Sequence, residues 1–369
     1  MREILFVAGE TSGDLHAAGV AAAIRRRQPQ RPLSGIGGSR MREAGVTLIE
    51  DVERMAVMGF VEVIRHIPRH WLLLRELRRR LDRNDTGLVT LIDYPGFNMR
   101  VAERARSRGV PVLYYITPQV WAWGAGRLAK LSRLITRAAV ILPFEEPLLQ
   151  QHGIDATFVG HPLLDRATSM LDRLSARRGL NLPDDARVLA LFPGSRGQEI
   201  ARHLEDFVAV GRELQRRVPG LHVVVSVAPG IQLDAAACPF PAVRGASFDV
   251  LRAADAAFCK SGTSTLEAAV AGCPLAIGYR TNRVTYAVAS RVVKVPWIGL
   301  VNVVAGRLVA PEFVQEQLIP PRVADALEPL LQEGPHRRRM LTDLADVRSR
   351  LGAPGAADRV AEMALGMVR

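Results

Sequence analysis

The chain has 369 residues, 48% of them hydrophobic, which is material for about two domains with substantial apolar cores. The formal net charge is +12, yet only three of the 49 basic residues are lysine, so the excess reads as heavy arginine usage rather than a nucleic-acid footprint, and attraction to anionic phosphates or an anionic membrane surface stays open. Cys238, Cys259 and Cys273 form no CxxC pair, no apolar run approaches the ~18 residues that span a bilayer, and the short start Ile4–Ala8 does not read as a signal peptide, so a reducing cytoplasm with at most surface contact to a membrane is expected.

In chain order, Ile4–Ala8 reads as a buried parallel strand by its unbroken apolar run. The turn Gly9-Glu10-Thr11-Ser12-Gly13-Asp14-Leu15-His16 follows, and then a helix from about Asp14 to Arg27. Two carboxylates, two hydroxyls and an imidazole crowd the carboxyl end of that strand, which marks a functional site; the plainer reading makes Asp14 an N-cap and Glu10 a solvated acid. Val46–Ile49 is the next strand. The segment Met55–Arg83 is basic and amphipathic: Met58, Phe60, Trp71 and Leu72 are apolar, Arg65 and Arg69 basic. It suits contact with anionic lipid, while Leu74, Leu77 and Leu81 at helical spacing suit a core-facing stripe.

Strand Leu88–Ile92 ends in Asp93-Tyr94-Pro95-Gly96-Phe97-Asn98, where Asp93 is either a general base or an Asx-turn residue. Strand Val112–Ile116 leads into the aromatic run to Trp123, which lines a site or fills a core. After strand Ala139–Leu142, Phe158-Val159-Gly160-His161-Pro162 closes the first half, and His161 either reaches a nucleotide or is a loop histidine. A polar stretch, Asp165 to Arg187, separates the halves.

The rhythm restarts at strand Val188–Phe192, which runs into Pro193-Gly194-Ser195-Arg196-Gly197 and a helix; Ser195 can cap or bind, and Arg196 can grip a phosphate with paired hydrogen bonds. Val223–Val227 and Leu275–Ile277 continue it. Between them Lys260-Ser261-Gly262-Thr263-Ser264-Thr265-Leu266-Glu267 opens a helix whose N-terminus suits a diphosphate, with Glu267 placed for ribose hydroxyls; otherwise Ser and Thr simply cap the helix. Neither loop matches GxxxxGK[ST] or GxGxxG. The alternation predicts an α/β protein of two doubly wound Rossmann-like domains facing each other across a cleft, residues 1–167 and 168–352, with room for a last helix over about 353–369 to pack back on the first.

The paired loops of the second half resemble the nucleotide domain of GT-B glycosyltransferases. Gly9–Asp14, Met58–Val63, Asp93–Asn98, Pro118–Trp123, Gly160–Leu163, Pro193–Ile200, Ser261–Glu267 and Ile298–Gly306 with Pro311-Glu312 together resemble the lipid-A-disaccharide synthases of Gram-negative bacteria, in the family's order across nearly the whole chain. The sequence departs from that pattern at Val301, where Pro is expected, and at Phe192, where Leu is usual.

The resemblance implies an inverting, metal-independent and cofactor-free transfer. UDP-2,3-diacylglucosamine would donate its sugar to 2,3-diacylglucosamine 1-phosphate (lipid X), giving a β-1,6-linked disaccharide 1-phosphate and UDP. It implies Asp93 as the base, with Glu10 and His16 placing substrate. Ser195, Arg196, Ser261, Gly262, Thr263 and Thr265 would hold the diphosphate, Glu267 the ribose, and Asn302 and His161 the donor. Ser12, Asp14, Asn98 and the Met58–Leu72 stretch would face the acceptor and the cytoplasmic side of the inner membrane. A homodimer is compatible with this reading; a nucleic-acid partner is not expected. The competing readings are another UDP-sugar enzyme of the same fold, of the peptidoglycan N-acetylglucosaminyltransferase or epimerase type, or a non-catalytic basic protein that binds membranes.

Overall fold

The computed structural model describes residues 1–52, 60–119, 121, 126–234, 236–282, 286 and 295–368, leaving aside the side chains of 60–70 and 126–127. The chain divides into two compact units, Met1–Pro162 with Gly352–Arg369, and Leu163–Leu351.

The first unit is built on seven strands: β1 (Glu3–Ala8), β2 (Leu33–Gly37), β3 (Thr47–Asp51), β4 (Thr86–Ile92), β5 (Val112–Tyr115), β6 (Arg137–Val140) and β7 (Ala156–Phe158). All pair in parallel, in the order β3-β2-β1-β4-β5-β6-β7. Side chains alternate between the faces of a strand, so β1 feeds two cores. Leu5 and Val7 join Leu73, Leu74, Leu77 and Leu81 of the helix Phe60–Asp82. Ile4, Phe6 and Ala8 join Ala17, Val20 and Ile24 of the helix Thr11–Arg27, and Val360, Ala361 and Ala364 of the helix Ala356–Met367. Both faces are therefore covered, which is why β1 reads as a continuous apolar run.

The second unit repeats the plan with β8 (Val188–Phe192), β9 (His222–Val227), β10 (Ala242–Arg244), β11 (Ala256–Lys260), β12 (Leu275–Tyr279) and β13 (Glu312–Val314), ordered β10-β9-β8-β11-β12-β13 and parallel throughout. Strand order reverses between β1 and β4 in one sheet and between β8 and β11 in the other. Such switch points leave a crevice at the carboxyl ends of the strands, where ligands of open α/β sheets bind.

The division falls before the compositional boundary at 167. The short helix Leu163–Ala167 buries Leu163 and Leu164, and its Arg166 donates to Glu267 in the second unit at 2.9 Å. The closing residues from Gly352 belong to the first unit. Among the described residues no helix is long and apolar enough to cross a membrane.

Candidate active site

The first switch point is bordered by the loop after β1 and the turn after β4. Glu10 precedes the helix Thr11–Arg27 with extended backbone (φ −141°) and its side chain caps nothing. Gly9 is there because a Cβ would lie 2.1 Å from the Tyr94 ring, so only glycine lets that ring close over the end of β1. Asp93 and Tyr94 both adopt left-handed backbone, φ 49° and 48°, a conformation that costs non-glycine residues energy and collects at functional sites. The Asp93 carbonyl accepts from Asn98 Nδ2 and from Tyr114 Oη, each at 2.7 Å, and Asn98 N–H returns to the Tyr94 carbonyl at 3.1 Å.

Other titratable groups gather on the same rim. Burial, and then the charge of Glu10, raise the Tyr94 hydroxyl above its ordinary pKa. His16 meets Tyr115, the last residue of β5, edge-on at 6.2 Å. Beyond β7, burial and then neighbouring His16 depress His161 to about 3, so its ring is neutral at physiological pH. Glu10 thus acts on Tyr94, the residue after Asp93, and His16 on His161, a residue read from the sequence as a donor contact or a loop histidine. Such a rim can accept a proton from a hydroxyl and fix its oxygen.

Two residues of the same motifs do something else. Asp14 is buried, and its oxygens accept from the backbone N–H groups of Gly38 (2.6 Å), Met41 (3.1 Å) and Arg40 (3.2 Å). It therefore caps the next helix, Ser39–Glu43, while its own helix starts earlier, at Thr11. Asn98 is wholly buried and holds the Asp93 turn from behind. Ser12 is exposed on the first turn of its helix.

Met58 lies outside the described residues, as do the side chains of Phe60, Arg65 and Arg69. Trp71 and Leu72 are both 59% exposed, with the Arg75 guanidinium 5.9 Å from the Trp71 ring centre. Sequence reasoning missed Glu145. Burial pushes its carboxyl up to about 7 against the hydrogen bonds from Leu142 N (3.1 Å) and Trp121 Nε1 (3.2 Å). Nothing in the sequence distinguishes it from exposed-looking Glu146 beside it.

The second switch point carries both loops of the second half. Ser195 and Arg196 are exposed after β8, and Arg196 immediately precedes the long helix Gly197–Arg217. Ser261–Thr263 follow β11 and open the helix Ser264–Ala271. Gly194 and Gly262 hold φ of 147° and 156°, backbone that L side chains rarely adopt. One carboxylate joins the loops: Glu199 Oε2 accepts from Ser195 N–H at 3.0 Å, and Oε1 accepts from Lys260 Nζ at 2.8 Å. Burial works against the charged form of Glu199, but Lys260 and Ser195 outweigh it and its pKa falls. Neither Glu199 nor Lys260 stood out beforehand, although both lie inside the motifs. Helix N-termini, Arg196 and Lys260 make this rim suited to an anion.

Several residues read as ligand contacts are engaged with protein here. Ser261 Oγ donates to Ile298 O (2.7 Å), and Thr265 Oγ1 donates to Gly262 O (2.8 Å) and accepts from Val301 N–H (3.4 Å). That last bond needs the N–H that proline would lack. Asn302 is fully buried. Its Nδ2 donates to Ala310 O and Glu312 Oε1, both at 2.8 Å, and its Oδ1 accepts from Val309 and Ala310 N–H. Glu312 in turn receives the N–H groups of Ile298 (3.0 Å) and Gly299 (2.8 Å). Thr263 is exposed at the helix start, and Glu267 is buried against Arg166. Among the described residues no three His, Cys, Asp or Glu side chains group as a metal site.

Comparison with known proteins agrees with this architecture. Among solved structures, a UDP-GlcNAc 2-epimerase from Neisseria meningitidis bound to UDP-GlcNAc superimposes with a TM-score of 0.66 at 13% identity, over 99% of this chain and 100% of that one. The calicheamicin glycosyltransferase does so with a TM-score of 0.64 at 16% identity, over 100% and 99%. These establish the GT-B fold and no more. A lipid-A-disaccharide synthase of Trichlorobacter lovleyi is 41% identical over 100% of this chain and 98% of the relative. A family model described as lipid-A-disaccharide synthetase matches residues 4–358. With the family model and full-length relatives in agreement, the chain belongs to the lipid-A-disaccharide synthetase family of glycosyltransferases.

Proposed function

We propose that the chain transfers the diacylglucosaminyl group of UDP-2,3-diacylglucosamine to the 6-hydroxyl of 2,3-diacylglucosamine 1-phosphate. The observation that carries this is the Asp93 turn: a carboxylate in strained backbone at a topological switch point, with Glu10 and His16 on the same rim. Asp93 takes the hydroxyl proton as the acceptor oxygen bonds to the sugar C1. The C1–O bond to the β-phosphate breaks in the same displacement, inverting the centre, and UDP leaves with the electron pair. Arg196 and the start of the helix Ser264–Ala271 stabilise the charge on the departing diphosphate, and Glu267 holds the ribose.

The test is UDP release from the diacylated donor with and without the acceptor. Asp93→Ala is expected to lower kcat by roughly 10²-fold or more while UDP affinity stays within twofold; full turnover would remove Asp93 as the base. UDP-GlcNAc converted to its 2-epimer without an acceptor would favour the epimerase alternative.

Both substrates carry acyl chains and phosphate, so the enzyme must take them from a membrane face. Exposed Trp71 and Leu72, on the opposite side of their helix from buried Leu73, Leu74, Leu77 and Leu81, support insertion among the acyl chains, with arginines attracting anionic headgroups. Replacing Trp71 and Leu72 with Ser is expected to lower recovery on anionic vesicles while leaving UDP binding intact. Unchanged recovery would count against this role.

A further inference from the structure

We infer that Tyr114 and Asn98 are positioning residues for Asp93: by clamping its carbonyl they hold its backbone in the left-handed conformation that aims the carboxylate. The inference rests on Asp93 being the base. Left to itself, a residue with a Cβ leaves this region for extended or right-handed backbone, and here two neighbours, Asp93 and Tyr94, occupy it together. Something must over-determine the turn.

The contacts show what does. The Asp93 carbonyl receives two donors from different elements, Tyr114 Oη from β5 and Asn98 Nδ2 from the helix Pro95–Ser107, each at 2.7 Å. Asn98 Nδ2 also reaches the carbonyl of Ile92 at 3.2 Å, and Asp93 N–H reaches Tyr115 O at 3.3 Å. Both donors come from fully buried side chains, while the accepting residue Asp93 is half-buried at the rim. Burial raises the Tyr114 hydroxyl well above the ordinary range, so it stays a donor at every working pH. The bond to the Asp93 carbonyl offsets the cost of burying the Tyr114 hydroxyl.

Tyr114→Phe tests this, because it keeps the ring in the core and removes only the donor. Three quantities decide: kcat, KM for each substrate, and the folded fraction at assay temperature from near-ultraviolet circular dichroism. The expected result is kcat lower by roughly tenfold, both KM values within twofold, and an unchanged folded fraction. Unchanged kcat, or a kcat loss matched by lost folded protein, would overturn the inference, since Tyr114 would then serve stability alone. Asp93→Asn measured alongside separates the two ideas. If that variant keeps full kcat, the base assignment fails first. If it loses kcat while Tyr114→Phe does not, the clamp alone is wrong.

Discussion

His161 shows how a single residue's surroundings set its charge. It is 5% exposed, and its pKa falls to about 3 from the ordinary 6.5, first by burial and then by His16. Between those values the unfolded chain binds a proton that the native site refuses, so stability present above about 6.5 is lost as pH falls toward 3. His161→Gln is expected to flatten this part of the profile, read as the change in urea midpoint between pH 7 and 4.5; an equal drop in both proteins would refute it. At residue scale the site was only partly legible in the sequence. Asp93, Glu10 and Arg196 announce themselves because charged groups at strand ends are conspicuous. Asp14, Asn98 and Asn302 share that chemistry and those locations, yet they fix backbone. Only burial separates a residue that shapes a site from one that faces its ligand.

At the scale of elements, the paired glycine loops permit a graded prediction. Gly194 and Gly262 are both in backbone that strains any other residue, but only at Gly194 would a Cβ also strike Glu199 Cβ, at 2.6 Å. At Gly262 the nearest atom is the Lys260 ammonium at 3.7 Å. Gly262→Ala should therefore cost ~1–3 kcal/mol from strain alone, and Gly194→Ala more, together with weaker UDP binding, because the Glu199 bridge to Lys260 must move. Urea unfolding and UDP titration would show the order; equal losses would mean the bridge yields freely. The elements themselves were unevenly visible. β1 and β8 are unbroken runs of large apolar residues and read at once. β2 carries Ser34, Gly35 and Gly37, where a Cβ on Gly35 would lie 2.2 Å from the Phe6 carbonyl oxygen, so close packing removed the hydrophobic signal. β11 begins with two alanines, and β7, β10 and β13 are three residues each, too short for periodicity to register.

At the scale of the whole molecule, the chain completes its first unit with its last residues. The helix Ala356–Met367 lies along the helix Thr11–Arg27 so closely that a Cβ on Gly19 would meet Ala357 Cβ at 3.3 Å. Val360, Ala361 and Ala364 are fully buried there, and Arg359 gives its guanidinium to the carbonyls of Val159 (2.8 Å), Pro354 (3.0 Å) and Ala353 (2.6 Å). Asp358 bridges Arg26 and Arg27, but at 43% side-chain exposure this contributes at most ~1 kcal/mol. Apolar burial therefore dominates: a fully buried valine is worth ~1.5–3 kcal/mol, and the helix adds to Val360 the smaller Ala361 and Ala364 and the partly buried Met363, Leu365 and Met367, over a core whose total margin is ~5–15 kcal/mol. A chain ending at Leu351 should lose most of the first unit's stability while the second, which contains none of these contacts, keeps its cooperative transition and its UDP affinity. Asp358→Ala should leave both transitions nearly in place. Calorimetry of the two variants separates the terms, because an intact first transition in the truncated chain would show that the sheet is covered without its last helix.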